Sequence, residues 1–315
     1  MKAAQIDRFG GPDVLRINEV DRPAPGKGEV LVQVQASSVN GHDVIVRAGG
    51  LKMVSGRKFP LGTGLDFAGI VVATGPGPAG YRAGDRVWGT VHPRQRHVTG
   101  AAAEYVTVPA DRVAPAPADI SPCDAASLVV AGTTALIALR DSTRLAAGER
   151  VLVRGAAGGV GTAAVQLAHA MGGHVTALAR DRYARALGDL GADRVLGYDA
   201  TPEQTGSFDV IVDTVGSELE CYRRRLTIDG RMVTVGLSAA ALAAIAVSTV
   251  HGSRRIRTFS ANPDTALLRD LAGQVASGAL HPVVSGVFPL ADIAAAHRAF
   301  SRGGTLGKHV IAVGA

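Results

Sequence analysis

Glycine residues are concentrated in one short stretch of the chain, between an apolar run and an alanine-rich run. The apolar run covers residues 151–153, the glycines fall within 155–161, and the alanine-rich stretch is 162–168. An apolar strand, a glycine turn and a helix in this order are typical of the first βα unit of a dinucleotide-binding fold. The pattern therefore predicts a phosphate-binding loop, and with it a nicotinamide cofactor and hydride transfer.

The positions of the glycines within this loop fit phosphate binding. Gly158 and Gly161 have no Cβ, so the backbone can approach a diphosphate and the helix can pack closely on the strand. Amides at the start of the helix would face the phosphates at the positive end of the helix dipole. Ala156 replaces the first glycine of the usual fingerprint. We expect the cofactor to contact Gly155, Ala156, Gly158, Gly159, Val160 and Gly161. The alternative is a glycine-rich turn that binds no nucleotide.

A second signal follows the strand at 174–179. Folds that bind NAD place an acidic residue at this strand end, where it holds the ribose 2′-hydroxyl. Here Ala179 is apolar and is followed by Arg180 and Arg182, on either side of Asp181. A guanidinium can hold a 2′-phosphate through two hydrogen bonds, so the sequence favours NADPH, with Arg180 or Arg182 as the phosphate ligand. The alternative for Arg180 is a solvated loop charge.

The elements around these residues divide the chain into two kinds of pattern. In the second half, helical stretches separate six apolar strands at 151–153, 174–179, 194–196, 208–213, 230–236 and 255–259. This alternation predicts an α/β fold with a doubly wound, parallel six-stranded sheet. The first hundred residues contain short strands at 30–36, 67–74, 85–89 and 102–108, which predict a barrel-like β domain. Between the two patterns, Ser121 and Pro122 predict the start of a helix.

Composition narrows the functional classes. The 315 residues are 47% hydrophobic and 19% charged, as in an ordinary soluble protein of about two domains. The net charge of +6 is scattered, with no basic stretch interleaved with aromatics, which disfavours a nucleic-acid partner. The apolar run 238–250 is too short to span a bilayer and is interpreted as a buried helix or as a loop followed by a helix, so no membrane partner is expected. Cys123 and Cys221 are the only cysteines, which fits a cytoplasmic location.

Ten segments, taken in order, resemble the medium-chain dehydrogenase/reductase superfamily, specifically its zinc-free, zeta-crystallin-like NADPH:quinone oxidoreductase branch. They are residues 25–32, 38–43, 64–69, 84–89, 103–105, 132–136, 155–161, 190–193, 209–213 and 307–310. The resemblance implies a GroES-like β-barrel domain from residues 1–120 with 263–315, and a Rossmann domain from 121–262. It also implies an active site in the cleft between them. A homodimer through the sheet edge at 255–259 is implied as well, with the apolar stretch 239–250 covering the contact.

Comparison with zinc-dependent members of the same superfamily argues against a metal site. Zinc-dependent relatives use a cysteine and a histidine at the cleft, where this chain has Asn40 and Leu65. The four-cysteine structural lobe of those relatives is missing. We therefore expect no metal. His42, His92 and His97 have no ligand-like spacing, and we expect them to be surface or hydrogen-bonding residues.

The resemblance assigns roles to further residues. Asn40, Asp43 and Thr133 would lie beside the nicotinamide as catalytic residues. The remaining cofactor contacts would come from Tyr198, at the 2′-phosphate, and from Val235, Gly236, Phe259 and Lys308. For Asn40 the alternative is a turn-stabilising side chain, and for Asp43 it is a helix cap. Asp66 is expected to hold the cleft loop.

Without a metal, hydride from NADPH adds well to a quinone or an enone, because the developing oxyanion needs only hydrogen-bond donors. The expected function is therefore a zinc-independent, NADPH-dependent reduction of a quinone or an α,β-unsaturated carbonyl. Two alternatives stay open. One is a tailoring reductase or cyclase that acts on a polyketide-like intermediate, and the other is a non-catalytic NADPH-binding sensor or scaffold. The polar loop 91–98 is expected to rim the cleft and to influence the choice of substrate.

Overall fold

The computed structural model describes residues 1–50, 58–77, 80–92, 99–236, 238–250 and 254–314. The chain forms two compact units. The first contains Met1–Val130, Asn262–Ala276 and Pro282–Ala315, and the second contains Ala131–Ala261 and Ser277–His281. The chain first passes from one unit to the other between Val130 and Ala131, inside a helix that begins at Pro122.

The first unit begins with mostly antiparallel strands. They are β1 (Lys2–Ile6), β2 (Leu15–Glu19), β3 (Glu29–Ser38), β4 (Leu61–Gly62), β5 (Asp66–Thr74), β6 (Arg86–Thr90), β7 (Tyr105–Pro109) and β8 (Val113–Pro115). A short helix, Gly41–Arg47, follows β3, and 3-10 turns cover Pro12–Val14 and Ala110–Arg112. Apolar residues of β3, β5 and β7, among them Val32, Phe67 and Val106, form the core of this unit.

The second unit is built on a parallel sheet. Its strands are β9 (Arg150–Arg154), β10 (His174–Leu178), β11 (Arg194–Leu196), β12 (Phe208–Asp213), β13 (Leu226–Thr234) and β14 (Ile256–Arg257). The strand order is β11-β10-β9-β12-β13-β14, and every pair is parallel. The connections carry the helices Gly159–Ala170, Ala184–Asp189, Pro202–Thr205, Leu219–Arg223 and Ala239–Val250. This order is that of the Rossmann fold, so the predicted six-stranded sheet is confirmed.

The C-terminal segment returns to the first unit. It contains the helix Thr265–Ala276, β15 (Val284–Pro289), a 3-10 turn at Leu290–Asp292, the helix Ile293–Arg302 and β16 (Lys308–Ala312). β16 pairs with β3, which gives a sheet of order β15-β16-β3-β5-β6-β8, with β7 also on β3. A second sheet has the order β2-β1-β4. The segment therefore completes the first unit and brings Lys308 beside the end of β3.

One helix among the described residues, Pro122–Ser142, is long and apolar enough to cross a membrane. It consists of the α-helix Pro122–Leu136 and a π-helical last turn, Ile137–Ser142. The hydroxyl of Ser121 accepts a hydrogen bond from the amide of Asp124 at 3.1 Å, as the predicted helix start requires. Most of the helix is buried, so its apolar surface is already covered by protein.

Two elements differ from the sequence prediction. The strand predicted at 255–259 is ordered as a strand only over Ile256–Arg257. The helix Ala239–Val250 forms, but it is not buried as predicted, since Leu242 is 57% and Val247 is 53% exposed. An alanine-rich helix without charged residues gives no sequence signal for which of its faces is buried.

Candidate functional site

The loop after β9 requires glycine at two positions. Gly155 has φ of +70°, and a Cβ there would overlap the hydroxyl oxygen of Thr214. A Cβ at Gly161 would overlap the carbonyl oxygen of Gly155. The loop is therefore folded back on itself so closely that only glycine fits. A glycine turn this tight, leading directly into a helix, is the backbone arrangement that lets a diphosphate approach closely.

The first turn of the helix Gly159–Ala170 follows directly from this loop. Gly158 is its N-cap residue and provides no side chain to cap the first amides. The amide of Gly158 donates to the carbonyl of Gly155 at 3.0 Å, and the amide of Thr162 donates to the carbonyl of Gly158 at 2.8 Å. Ala156 is buried, and its amide donates to Leu178 of β10. Amides at such an uncapped N-terminus favour an anion.

The residues predicted for the 2′-phosphate lie at the ends of β10 and β11. Arg180 follows β10 and is exposed, and Tyr198 follows β11 and is 53% exposed. Partial burial raises the pKa of Tyr198, while the positive charges of Arg154 and Arg180 act in the opposite direction. Arg180 therefore lies within electrostatic reach of Tyr198. Arg182 instead stacks on the ring of Tyr183, with its guanidinium carbon 4.8 Å from the ring centroid.

The loops after β12 and β13 meet beside the glycine loop. The amide of Val235 donates to the carbonyl of Asp213 at 2.9 Å. Gly216 and Gly236 pack so closely that a Cβ on either would overlap the backbone of the other. Phe259 lies two residues beyond β14 and is half-buried. Ligands of open α/β sheets bind at this carboxyl edge of the strands.

Sequence reasoning missed two residues at this edge, Arg154 and Asp213. They end β9 and β12, are 3% and 0% exposed, and form an ion pair of 2.5 Å. The signal available in the sequence was a charged residue directly after each of two apolar runs, 151–153 and 210–212.

In the first unit, the carboxylate of Asp66 is the centre of a buried polar cluster. Its Oδ1 accepts from the amide of Ser38 at 2.7 Å, and its Oδ2 accepts from the Ser38 hydroxyl at 2.7 Å. Burial raises the pKa of Asp66, and the charge of Lys308 and the hydrogen bonds from Ser38 and Asn40 oppose this effect. Asp66 therefore ties the start of β5 to the end of β3.

Asn40 is held between Asp66 and Lys308. Its Nδ2 donates to Oδ2 of Asp66 at 3.0 Å and to the carbonyl of Ser38 at 3.2 Å, and its Oδ1 accepts from Nζ of Lys308 at 2.6 Å. The Lys308 ammonium also donates to the carbonyl of Val39 at 2.8 Å. Burial lowers the pKa of Lys308, against the attraction of Asp66 and Asp43. Both N–H groups of Asn40 are thus donated within the protein, which agrees with the alternative of a turn-stabilising side chain.

Asp43 also has a structural partner on each oxygen. Its Oδ2 accepts from the amide of Asn40 at 3.0 Å, at the start of the helix Gly41–Arg47, and its Oδ1 accepts from the amide of Gly64 at 3.2 Å. This is the helix-cap geometry.

Thr133, in the second unit, is fully buried within the helix Pro122–Leu136. The predicted catalytic roles of Asn40, Asp43 and Thr133 stay predictions.

Among the described residues, no group of three His, Cys, Asp or Glu side chains is placed to hold a metal ion. Leu65, at the position of the family's histidine, is half-buried. His97 and most of the loop 91–98 lie outside the described residues, so the prediction about substrate choice is not tested.

Comparisons with known proteins agree with this architecture. A family described as Alcohol dehydrogenase GroES-like domain matches residues 26–118, and one described as Zinc-binding dehydrogenase matches residues 190–311. The Quinone oxidoreductase of Sus scrofa is 31% identical over 99% of this chain and 97% of its own. The structure of the quinone oxidoreductase from Coxiella burnetii aligns with a TM-score of 0.91 at 31% identity, over 99% of both chains. A mycobacterial protein solved in complex with NADPH aligns with a TM-score of 0.85 at 28% identity, over 99% of this chain and 100% of that one.

Proposed function

Since the chain belongs to the quinone oxidoreductase-like branch of the medium-chain dehydrogenase/reductase superfamily and is an NAD(P)H-type oxidoreductase, we propose its specific reaction. The protein transfers hydride from NADPH to a quinone or to the β-carbon of an α,β-unsaturated carbonyl, without zinc. The observation that carries this proposal is the glycine cradle at Gly155 and Gly161, with Arg180 and Tyr198 at the same edge of the sheet.

The cofactor would be bound by the second unit. The first amides of the helix Gly159–Ala170 would hold the diphosphate, and the closely packed Gly216 and Gly236 would lie beside the cofactor at the same edge of the sheet. Arg180 would pair with the 2′-phosphate, and the Tyr198 hydroxyl would donate to it. When bound, NADPH supplies the hydride from C4 of its nicotinamide ring. The relative solved with NADPH supports this choice of cofactor.

The first unit supports chemistry without a metal. Asn40, which stands at the family's cysteine position, uses its amide to join Lys308 and Asp66 rather than presenting a thiolate. The acceptor must then be one whose reduced form is stabilised by hydrogen bonds alone, which favours quinones and enones over simple alcohols and aldehydes. The resulting oxyanion would take its proton from water.

An assay of NADPH oxidation tests the proposal. Enzyme dialysed against a chelator, with its zinc content measured, is incubated with NADPH or NADH and a panel of quinones, enones, enoyl thioesters and simple aldehydes. We expect turnover of at least one quinone or enone with NADPH, at a rate that added zinc does not change. Tight NADPH binding without turnover of any acceptor would favour the non-catalytic alternative, and turnover of enoyl thioesters alone would favour the tailoring reductase.

We also propose a cytoplasmic homodimer. The support is the short edge strand β14 and the exposed Leu242 and Val247 on the neighbouring helix Ala239–Val250. Light scattering after size exclusion should give twice the mass of one chain. Leu242→Glu should shift the protein to the monomer, and an unchanged mass would contradict this interface.

A further inference from the structure

Arg154 is a buried charged residue at the carboxyl end of β9, whose central residues 151–153 are apolar. It is the last residue of β9, directly before the glycine loop, and its side chain is 3% exposed. Burial of a guanidinium is costly unless the charge is paired and its donors are satisfied. Arg154 is therefore expected to have buried partners that neutralise its charge.

The partner that neutralises Arg154 is Asp213, the last residue of the adjacent strand β12. The two residues are direct neighbours in the parallel register, and Nη1 of Arg154 lies 2.5 Å from Oδ1 of Asp213. The other oxygen of Asp213, Oδ2, accepts from the amide of Gly216 and from the hydroxyl of Thr234, each at 2.7 Å. Asp213 thus connects the ends of β9, β12 and β13.

The guanidinium also holds the segment that follows β12. Nη1 of Arg154 donates to the carbonyl of Ser217 at 2.7 Å, and the guanidinium lies 3.7 Å from the ring centroid of Tyr222. In return, the hydroxyl of Thr214 donates to the carbonyl of Arg154 at 2.9 Å. The same hydroxyl fills the space in which Gly155 could not carry a Cβ. The pair and its contacts therefore fix the loop after β12 against the glycine loop.

The opposite edge of the same two strands provides a comparison. Arg150 begins β9, and Asp209 lies near the start of β12, at 3.5 Å from it. In the Arg150–Asp209 pair, the arginine is open to solvent, since 53% of its side chain is exposed. Both pairs join β9 to β12, but only Arg154 and Asp213 lie at the carboxyl edge, where open α/β sheets bind ligands.

We propose that the Arg154–Asp213 pair positions the diphosphate site of NADPH, an inference that rests on the proposed cofactor binding at the glycine loop. It acts in two ways. It fixes the loop 214–217 against Gly155, and it neutralises a buried carboxylate that would otherwise repel the diphosphate anion. Neither residue needs to contact the cofactor, so both are positioning residues.

The test compares four purified proteins: wild type, Arg154→Met, the double variant Arg154→Met with Asp213→Asn, and the matched control Arg150→Met. The Kd for NADPH is measured by fluorescence titration, and kcat and the KM of the acceptor are measured at saturating NADPH. Circular dichroism and thermal unfolding establish that each variant is folded. The double variant contains no uncompensated buried charge, so it is expected to fold even where the single variant does not.

We expect Arg154→Met to raise the Kd for NADPH on the order of tenfold or more, because a buried carboxylate is left unpaired. The double variant should recover part of this loss, and Arg150→Met should bind as the wild type does. At saturating NADPH, the acceptor KM should not change in any variant, which separates positioning of the cofactor from general damage to the fold.

Unchanged NADPH affinity in folded Arg154→Met, or a double variant that binds no better than the single one, would overturn the inference. If Arg154→Met does not fold, wild-type affinity in the double variant overturns it instead. These outcomes differ from failure of the proposed function, in which the wild type itself does not bind NADPH.

Discussion

The ammonium of Lys308 donates to Oδ1 of Asn40 at 2.6 Å, across 268 positions of sequence. Through the amide of Asn40, this contact continues to the buried carboxylate of Asp66. A cation from the C-terminal strand thus stabilises an anion in the N-terminal part of the chain. Because both ions are buried, removal of one leaves the other without compensation.

We therefore predict that Lys308→Met lowers the free energy of unfolding by about 3 kcal/mol, the order of the loss when a buried charge is left without compensation. Urea unfolding followed by circular dichroism measures the change, and substitution of the exposed Lys27 by Met is the control. Lys308→Met combined with Asp66→Asn should be more stable than Lys308→Met alone. A loss no larger than that of the control would show that Lys308 does not compensate Asp66.

A substitution in the glycine loop tests whether this loop binds the cofactor. We predict that Gly161→Ala raises the Kd for NADPH at least on the order of tenfold, because the Cβ would overlap the carbonyl of Gly155. The control is Gly188→Ala, in the helix Ala184–Asp189, where nothing lies within 4 Å of the added Cβ. Isothermal titration calorimetry measures both. Equal NADPH affinity in the two variants would argue against a diphosphate cradle at this loop.

The choice between NADPH and NADH is predicted to depend on Arg180. Arg180→Met should weaken NADPH binding on the order of tenfold and leave NADH binding nearly unchanged, since only NADPH carries the 2′-phosphate. Arg182→Met is the matched control, because Arg182 stacks on Tyr183. Titration of each variant with both cofactors gives the ratio of the two Kd values. A larger change in this ratio for Arg182→Met would assign the phosphate to Arg182.

His297 predicts a pH dependence of stability. Burial lowers its pKa from 6.5 to about 4, with the charge of Arg47 acting in the same direction and Asp43 opposing it. The unfolded chain therefore binds a proton below pH 6.5 that the folded chain does not bind until about pH 4. Stability should fall as the pH drops through this window, by up to about 3 kcal/mol.

The comparison of wild type with His297→Gln isolates this contribution, since the acidic groups titrate in both proteins. Chemical unfolding at a series of pH values should give a shallower decline for the variant between pH 6.5 and about 4. His174→Gln, at an exposed position, should decline as the wild type does. Parallel curves for wild type and His297→Gln would contradict the assignment.

Much of the second unit could be predicted from its sequence, because apolar strands alternate there with helical stretches. The central strands β9 and β12 contain the apolar runs 151–153 and 210–212, as buried parallel strands require, and the glycines mark the turn between β9 and its helix. The short β14 was predicted too long because Thr258 and Phe259 have strand propensity without a neighbouring strand pairing there.

The polar clusters were harder to predict because their partners are distant in sequence. Nothing local indicates that Lys308 reaches Asn40, or that Arg154 and Asp213 become neighbours, 59 positions apart. Asn40 and Asp43 were singled out through family resemblance, and the structure shows that their hydrogen bonds hold the turn after β3. Their side-chain geometry depends on tertiary packing, which pattern and spacing do not encode.

The proposed reaction is hydride transfer from NADPH to an activated carbonyl acceptor without zinc. The most direct measurement uses chelator-treated enzyme, NADPH deuterated at both C4 positions and an enone, with mass spectrometry of the product. Our account predicts a product that carries one deuterium at the β-carbon, and a yield that added zinc does not raise. A product without deuterium, or one formed only after zinc is added, would contradict it.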